Sequence, residues 1–117
     1  MTIEFYATKV SYAEALDGEI TQVTFEEAGD SDSHHPTKLY LHFSVNYEFG
    51  SRIPTAEWFD GSDTNGGVEI ELFSVGESRS KIKLENGHLF EISYAPNPPV
   101  VNNIRSFLAR DCREFNA

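Results

Sequence analysis

The residues best suited to chemistry lie in the stretch FDGSDTNGGVEIEL, residues 59–72. Asp60, Asp63 and Asn65 supply oxygen atoms, and Glu71 stands twelve positions along when Asp60 is counted as one, as in the calcium loop of an EF-hand. An EF-hand needs a glycine at position six, where this chain has Asn65, and it needs flanking helices where this sequence predicts strands. The sequence therefore predicts no metal here.

The glycine pair of this stretch favours a structural turn. Gly66 and Gly67 can adopt left-handed or crowded backbone conformations that other residues resist. We expect them to form a turn that leads into a strand over residues 68–75. A turn alone does not account for the carboxylates around it.

The other reactive side chains form no recognisable site. His34 and His35 are adjacent in an acidic loop, and no spacing of cysteine and histidine resembles a zinc site. Cys112 is the single thiol, and it falls on the apolar stripe of a predicted helix near its C-terminal end, where a thiolate is disfavoured. The chain has no nucleophile elbow, P-loop or dinucleotide fingerprint. The sequence thus predicts no catalytic residue and no cofactor.

Alternating apolar residues predict about six strands within residues 2–96. The clearest is LYLHFSVNYEF, residues 39–49, in which every second side chain is apolar over eleven positions. Such alternation is typical of a mostly antiparallel sheet with one face on the core and the other face outward.

The sequence LENGH predicts a tight hairpin. A three-residue loop over residues 85–87, with Asn86 in the loop and Gly87 left-handed, pairs Ile82 with Phe90 and keeps both on the apolar face. A two-residue Asn-Gly turn would place a carboxylate on that face, so we favour the longer loop.

The last part of the chain changes to helical spacing. Asn97 can cap a helix and Pro98 suits its first position, so we expect a helix over about residues 98–115. Its apolar face comprises Ile104, Phe107, Leu108 and Phe115. The prediction is one α+β domain over residues 1–117, with this helix packed on the apolar face of the sheet.

The charge of the chain is unevenly distributed. Residues 1–72 contain 14 acidic and 3 basic residues, a net charge of −11, whereas residues 73–117 contain 5 acidic and 6 basic residues, a net charge of +1. Nucleic acids and anionic membranes are therefore unfavourable partners, and a basic protein is a favourable one. The single cysteine and the early charges of the N-terminus predict a cytoplasmic protein without a signal peptide.

The stretch EWFDGSDTNGGVEIEL resembles the central block of the Immunity protein 10 family of bacterial toxin systems. Its motif-like residues are Glu57, Asp60, Gly66 and Gly67, followed by an alternating strand. The opening strand, the Tyr-Leu strand and the closing helix agree with the layout of that family. The resemblance implies a cytosolic antidote that binds and blocks a cognate toxin, often a nuclease with a basic face, without catalysis or cofactor.

The acidic side chains are the candidates for contact with such a partner. We expect Glu69 and Glu71 to project outward together, because they alternate with apolar residues. The predicted partner-binding residues are Asp30, Asp32, Glu57, Asp60, Asp63, Glu69 and Glu71. Two alternatives stay open: a small ligand-binding or enzymatic α+β domain, and a homodimeric assembly protein. The sequence fits a monomer or a homodimer.

Overall fold

The computed structural model describes residues 2–27, 39–49, 53–59 and 61–115. Its elements follow the chain as β1 (Thr2–Ala7), β2 (Lys9–Ala15), β3 (Ile20–Glu26), β4 (Tyr40–Asn46), a 3-10 turn (Tyr47–Phe49), β5 (Thr55–Phe59), β6 (Thr64–Val75), β7 (Arg79–Leu84), β8 (Leu89–Tyr94), α1 (Pro98–Asp111) and β9 (Arg113–Glu114). Within the described part of the chain, α1 is too short and too polar to cross a membrane.

The strands form a path that returns to its starting point. Neighbouring strands follow the order β1-β8-β7-β6-β5-β4-β3-β2, and β9 pairs with β6. Because only Thr8 separates β1 from β2, the first and last strands of the path are successive parts of one chain segment. The path comprises two sheets, which we call sheet A (β1, β8, β7, β9 and the C-terminal half of β6) and sheet B (β2 to β5 and the N-terminal half of β6).

Two bulges allow β6 to serve both sheets. Gly67 is the extra residue between the pairs Ala56–Val68 and Glu57–Gly66, and its φ is +79°. A second irregularity between Ile70 and Leu72 marks the passage of β6 from sheet B to sheet A. Bulges bend a strand and increase its twist, which is how one strand turns the corner between two sheets.

The apolar faces of both sheets and one face of α1 enclose a single core. Every second residue of β1, β3, β4, β7 and β8 is buried, as the alternation in the sequence predicts. Four residues of α1 are buried, namely Val101, Ile104, Phe107 and Leu108. The ring of Phe107 lies edge-on to Tyr12 at 6.3 Å and stacks on Phe43 at 6.4 Å, so the helix packs on the apolar face of the sheet as expected.

The turn between β6 and β7 is fastened to α1 and β8. Arg105 donates from Nε and from a terminal guanidinium nitrogen to the carbonyl of Val75, at 3.0 and 2.8 Å. The hydroxyl of Tyr94 donates to the carbonyl of Gly76 at 2.6 Å and lies 2.7 Å from Oγ of Ser80. These bonds satisfy two successive carbonyls at the end of β6 and fix the position of the helix.

The fold class is confirmed, but the strand count is higher than about six. The described residues form nine strands, and the sheet is mixed, because β1 pairs in parallel with β8 and β9 in parallel with β6. The additional strands are β5, which is short, β2, which the break at Thr8 separates from β1, and the two-residue β9.

Two element boundaries also differ from the sequence prediction. The long strand ends at Asn46, and residues 47–49 form a 3-10 turn. The helix ends at Asp111 rather than near residue 115, because the chain turns out of the helix and pairs with β6, where the N–H of Phe115 donates to the carbonyl of Phe73 at 2.9 Å.

The predicted hairpin between β7 and β8 is confirmed. Ile82 pairs with Phe90, and Gly87 has a φ of +94°, with Asn86 beside it in the turn. On the outward face of the same pair of strands, Nζ of Lys81 lies 3.6 Å from a carboxylate oxygen of Glu91. Both faces of the hairpin are therefore satisfied in this register.

Candidate functional site

The outward face of sheet B contains polar, acidic and apolar side chains, including the cross-strand pair Tyr40 and Phe59. Its central row runs across five strands as Ser11, Thr24, His42, Glu57 and Gly66. The side chains of Thr24 and His42 are hydrogen-bonded, with 2.9 Å between Oγ1 and Nδ1.

Glu57 owes its position to the glycine opposite it. Glu57 and Gly66 are cross-strand partners in β5 and β6, and a Cβ built on Gly66 would lie 2.9 Å from Cγ of Glu57. The Glu57 side chain therefore extends over β6 at the point where β6 has no side chain. Glu69, whose partner is Thr55, is a diagonal neighbour of Glu57, and both carboxylates are exposed.

The glycine pair lies inside β6 rather than in a turn before it. The strand begins at Thr64 instead of residue 68, because Gly66 still pairs with Glu57 and Gly67 forms the bulge. The left-handed backbone expected in this stretch is thus found at Gly67, and the crowded position is found at Gly66.

The remaining acidic candidates are distributed around β6. Asp63 is exposed and directly precedes the strand. Glu71 is at the second bulge, and its carboxylate lies 4.0 Å from Nζ of Lys83 in sheet A. The bulge therefore divides Glu69 and Glu71 between two sheets instead of aligning them in one row. Asp30, Asp32 and Asp60 lie outside the described residues, as do His34 and His35.

Acidic and basic residues are unevenly distributed between the two sheets, as they are along the sequence. Among the described residues of β2 to β5 and the N-terminal half of β6, Lys9 is the one basic residue, and it lies 3.8 Å from Glu26. Sheet A has three basic residues along β7, namely Arg79, Lys81 and Lys83, with two of these in ion pairs. Sheet B therefore has an acidic outward face, whereas sheet A has a face of mixed charge.

The end of sheet B near the helix C-terminus contains a cluster that the sequence did not reveal. The hydroxyl of Tyr12 donates to Glu14 at 2.9 Å, and burial raises the pKa of Tyr12 to about 12, with the Glu14 bond and charge adding to the effect. Arg110 lies within electrostatic range of Tyr12, Glu14 and Tyr47. The alternation of apolar residues shifts by one position between Ala7 and Val10. This shift was the one sequence signal that β2 is a strand separate from β1.

Cys112 is poorly suited to nucleophilic chemistry. The pKa of its thiol is raised to about 11, mainly by burial and in smaller part by the charges of Asp111 and Glu69. Nucleophilic attack requires the thiolate, which such a pKa suppresses at neutral pH. Within the described ranges, no three residues among His, Cys, Asp and Glu are grouped as metal ligands.

Comparison of the chain with protein-family models, with curated proteins and with solved structures finds no significant match. The resemblance to the Immunity protein 10 family therefore rests on the quoted sequence motif. In the structure, two residues of that motif, Glu57 and Gly66, are direct cross-strand neighbours.

Proposed function

We propose that this protein is an immunity protein, a non-catalytic cytoplasmic inhibitor that binds a cognate bacterial toxin through the outward face of sheet B. The observation that supports the proposal is the segregation of charge between the two sheets. Glu57 and Glu69 are exposed on a face whose one described lysine is already paired with Glu26. A basic toxin surface complements such a face.

A nuclease is the class of toxin that an acidic surface can inhibit directly. Enzymes that bind nucleic acid present lysine and arginine to phosphate groups. Carboxylates that occupy the same positions neutralise these cations and block the substrate. They also attract the toxin over a distance, which speeds encounter more than it adds to the final affinity.

The strands hold the two carboxylates ready for binding. Glu57 and Glu69 are anchored on neighbouring strands whose inward residues, Ala56, Trp58 and Ile70, are buried. Because the backbone beneath the carboxylates is already ordered, binding need not order it, and less entropy is lost.

The two alternatives have less support from the described residues. Two shallow depressions of about 280 and 260 Å³ lie on the outward side of sheet A, where both are bordered by Arg79 and Glu91. Ligand pockets usually enclose roughly 300–1,000 Å³ and are mainly apolar. No specific contact favours a ligand-binding, enzymatic or homodimeric function over toxin binding.

The experiment is a stopped-flow measurement of binding to the toxin domain that co-purifies with this protein from its native host. We expect the association rate to reach about 10⁸ M⁻¹s⁻¹ at low salt. It should fall steeply as ionic strength rises from about 0.01 M to about 0.15 M, because the Debye length shortens from about 30 Å to about 8 Å. Protection of cells that express the toxin should accompany binding.

A charge-matched pair of variants separates the face from the total charge. Glu57→Lys with Glu69→Lys reverses two charges on sheet B, and Glu4→Lys with Glu77→Lys makes the same change in net charge near sheet A, where both residues are exposed. The first pair should slow association and reduce protection far more than the second. Equal effects of the two pairs of variants, or an association rate that does not change with salt, would mean that the acidic residues serve only to keep the protein soluble.

A further inference from the structure

The tip of the hairpin between β2 and β3 presents an apolar residue in a backbone conformation that such a residue rarely adopts. Leu16 has a φ of +52° and Asp17 a φ of +56°, and the N–H of Gly18 donates to the carbonyl of Ala15 at 3.2 Å. Gly18 follows with a φ of +89°, so three successive residues of the loop lie in the left-handed region, which Gly, Asn and Asp populate most readily. Leucine in this region is strained, because its Cβ approaches the backbone.

The side chain of Leu16 gains no compensating burial within the chain. It is 60% exposed, and Tyr6, at 52%, is the other large apolar residue of the described chain with comparable exposure. A strained residue that is also solvent-exposed contributes little to the fold, and such outliers are concentrated at functional sites. Leu16 is therefore better explained by a contact outside this chain.

Other apolar residues extend this surface. Ala13 and Ala15 are exposed and Ile20 is half-buried, and all three lie on the outward face of sheet B, where Ala15 pairs with Ile20. We name Ala13, Ala15, Leu16 and Ile20 the tip patch. It continues the outward face that contains Glu69, because both belong to the end of sheet B that is nearest the tip.

Acidic residues border the tip patch at the turn. Asp17 and Glu19 are exposed in the turn, and the carbonyl of Glu19 accepts from the N–H of Tyr47 at 2.7 Å, which places exposed Glu48 beside it. An apolar centre within a charged rim is the usual arrangement of a binding hot spot. The complementary surface is an apolar pocket bordered by lysine or arginine.

We propose that the tip patch is a second contact region for the toxin, in which Leu16 inserts into an apolar pocket with a basic rim. This inference rests on the proposed function, and it adds to the acidic face an anchor that slows dissociation. Charged residues on a rim mainly set the association rate, whereas a buried apolar anchor mainly sets the dissociation rate.

Leu16→Asn tests the inference, because asparagine suits the left-handed turn and lacks the apolar side chain. We expect the Tm to rise by about 4 °C, since the strain is relieved. We also expect the Kd for the purified toxin domain to rise about tenfold or more, mainly through faster dissociation. Leu16→Met should keep wild-type affinity, because it retains an apolar side chain of similar volume.

Tyr6→Thr is the matched control, because Tyr6 is similarly exposed but lies on β1 of sheet A. It should leave the Kd unchanged. An unchanged Kd for Leu16→Asn, a fall in its Tm, or an equal loss of affinity in Tyr6→Thr would overturn the role of the tip patch. If the wild-type protein itself fails to bind the toxin domain, the proposed function fails before this inference is reached, so the two failures are distinguishable.

Discussion

Glu57 and Gly66 face each other across β5 and β6, and the missing side chain of Gly66 leaves the space that Cγ of Glu57 occupies. The two residues are nine positions apart in the sequence and belong to the motif on which the family resemblance rests. Their pairing explains a glycine inside a strand, where it would otherwise weaken the strand. The glycine in β6 thereby helps to determine where the carboxylate of Glu57 lies on the acidic face.

Gly66→Ala should lower the free energy of unfolding by about 0.5–1.5 kcal/mol, because the new Cβ forces the exposed Glu57 side chain out of its present rotamer. The measurement is urea unfolding. Glu57→Ala in the Gly66→Ala background should recover most of the loss, since the clashing Cγ is then absent. A loss that persists in the double variant would show that the glycine has another role.

Phe107→Ala should lower the free energy of unfolding by about 3–5 kcal/mol, because Phe107 is only 3% exposed and packs between Tyr12 and Phe43. Ser106→Ala on the exposed side of the same helix is the control, and it should change stability by no more than about 0.5 kcal/mol. A neutral result for Phe107→Ala in urea would mean that this helix face is not part of the core.

Tyr94→Phe should destabilise the protein by about 1–3 kcal/mol, because it leaves the carbonyl of Gly76 and the hydroxyl of Ser80 without their partner. The tyrosine hydroxyl has one hydrogen, which goes to Gly76, so Ser80 is the donor in the second bond. Ser80→Ala should therefore cost less in the Tyr94→Phe background than in the wild type. Additive losses in this double-mutant cycle would show that the two hydroxyls act independently.

The thiol of Cys112 should make stability decrease with pH in the alkaline range. Its pKa in the folded state is about 11. The unfolded chain loses this proton at lower pH, so the folded state binds more protons and the free energy of unfolding falls as pH rises from about 9 to about 11. Cys112→Ala should remove this contribution while the tyrosines keep theirs. The comparison is urea unfolding of both proteins over that range, and parallel pH profiles would contradict the shift.

Millimolar calcium should leave the Tm unchanged. A ligand that binds the native state stabilises it by RT ln(1 + [L]/Kd), so a genuine site in residues 59–72 would respond visibly. Thermal unfolding with calcium, and with magnesium as the control ion, tests this expectation. A calcium-specific rise of several degrees would overturn the interpretation of this stretch as bulged strand and turn.

Local patterns in the sequence determined the elements whose causes are local. Alternation with a period of two placed the apolar faces of most strands, and helical spacing placed Ile104, Phe107 and Leu108 inward. The register of β7 against β8 also followed from the sequence. A three-residue loop with a left-handed Gly87 is the arrangement that keeps Ile82 and Phe90 on one face. The excess of acidic residues before residue 73 was also evident.

Tertiary structure decided what depends on residues distant in the sequence. The parallel pairing of β1 with β8 joins two strands that are more than 80 residues apart in the sequence, and no local pattern specifies it. The helix ends at Asp111 because the following residues pair with β6. The helical spacing of apolar residues does not predict this pairing. The bulges of β6 divide Glu69 from Glu71 and set Gly66 against Glu57. A bulge shifts the alternation by one residue, and its place is fixed by the neighbouring strands rather than by the strand itself.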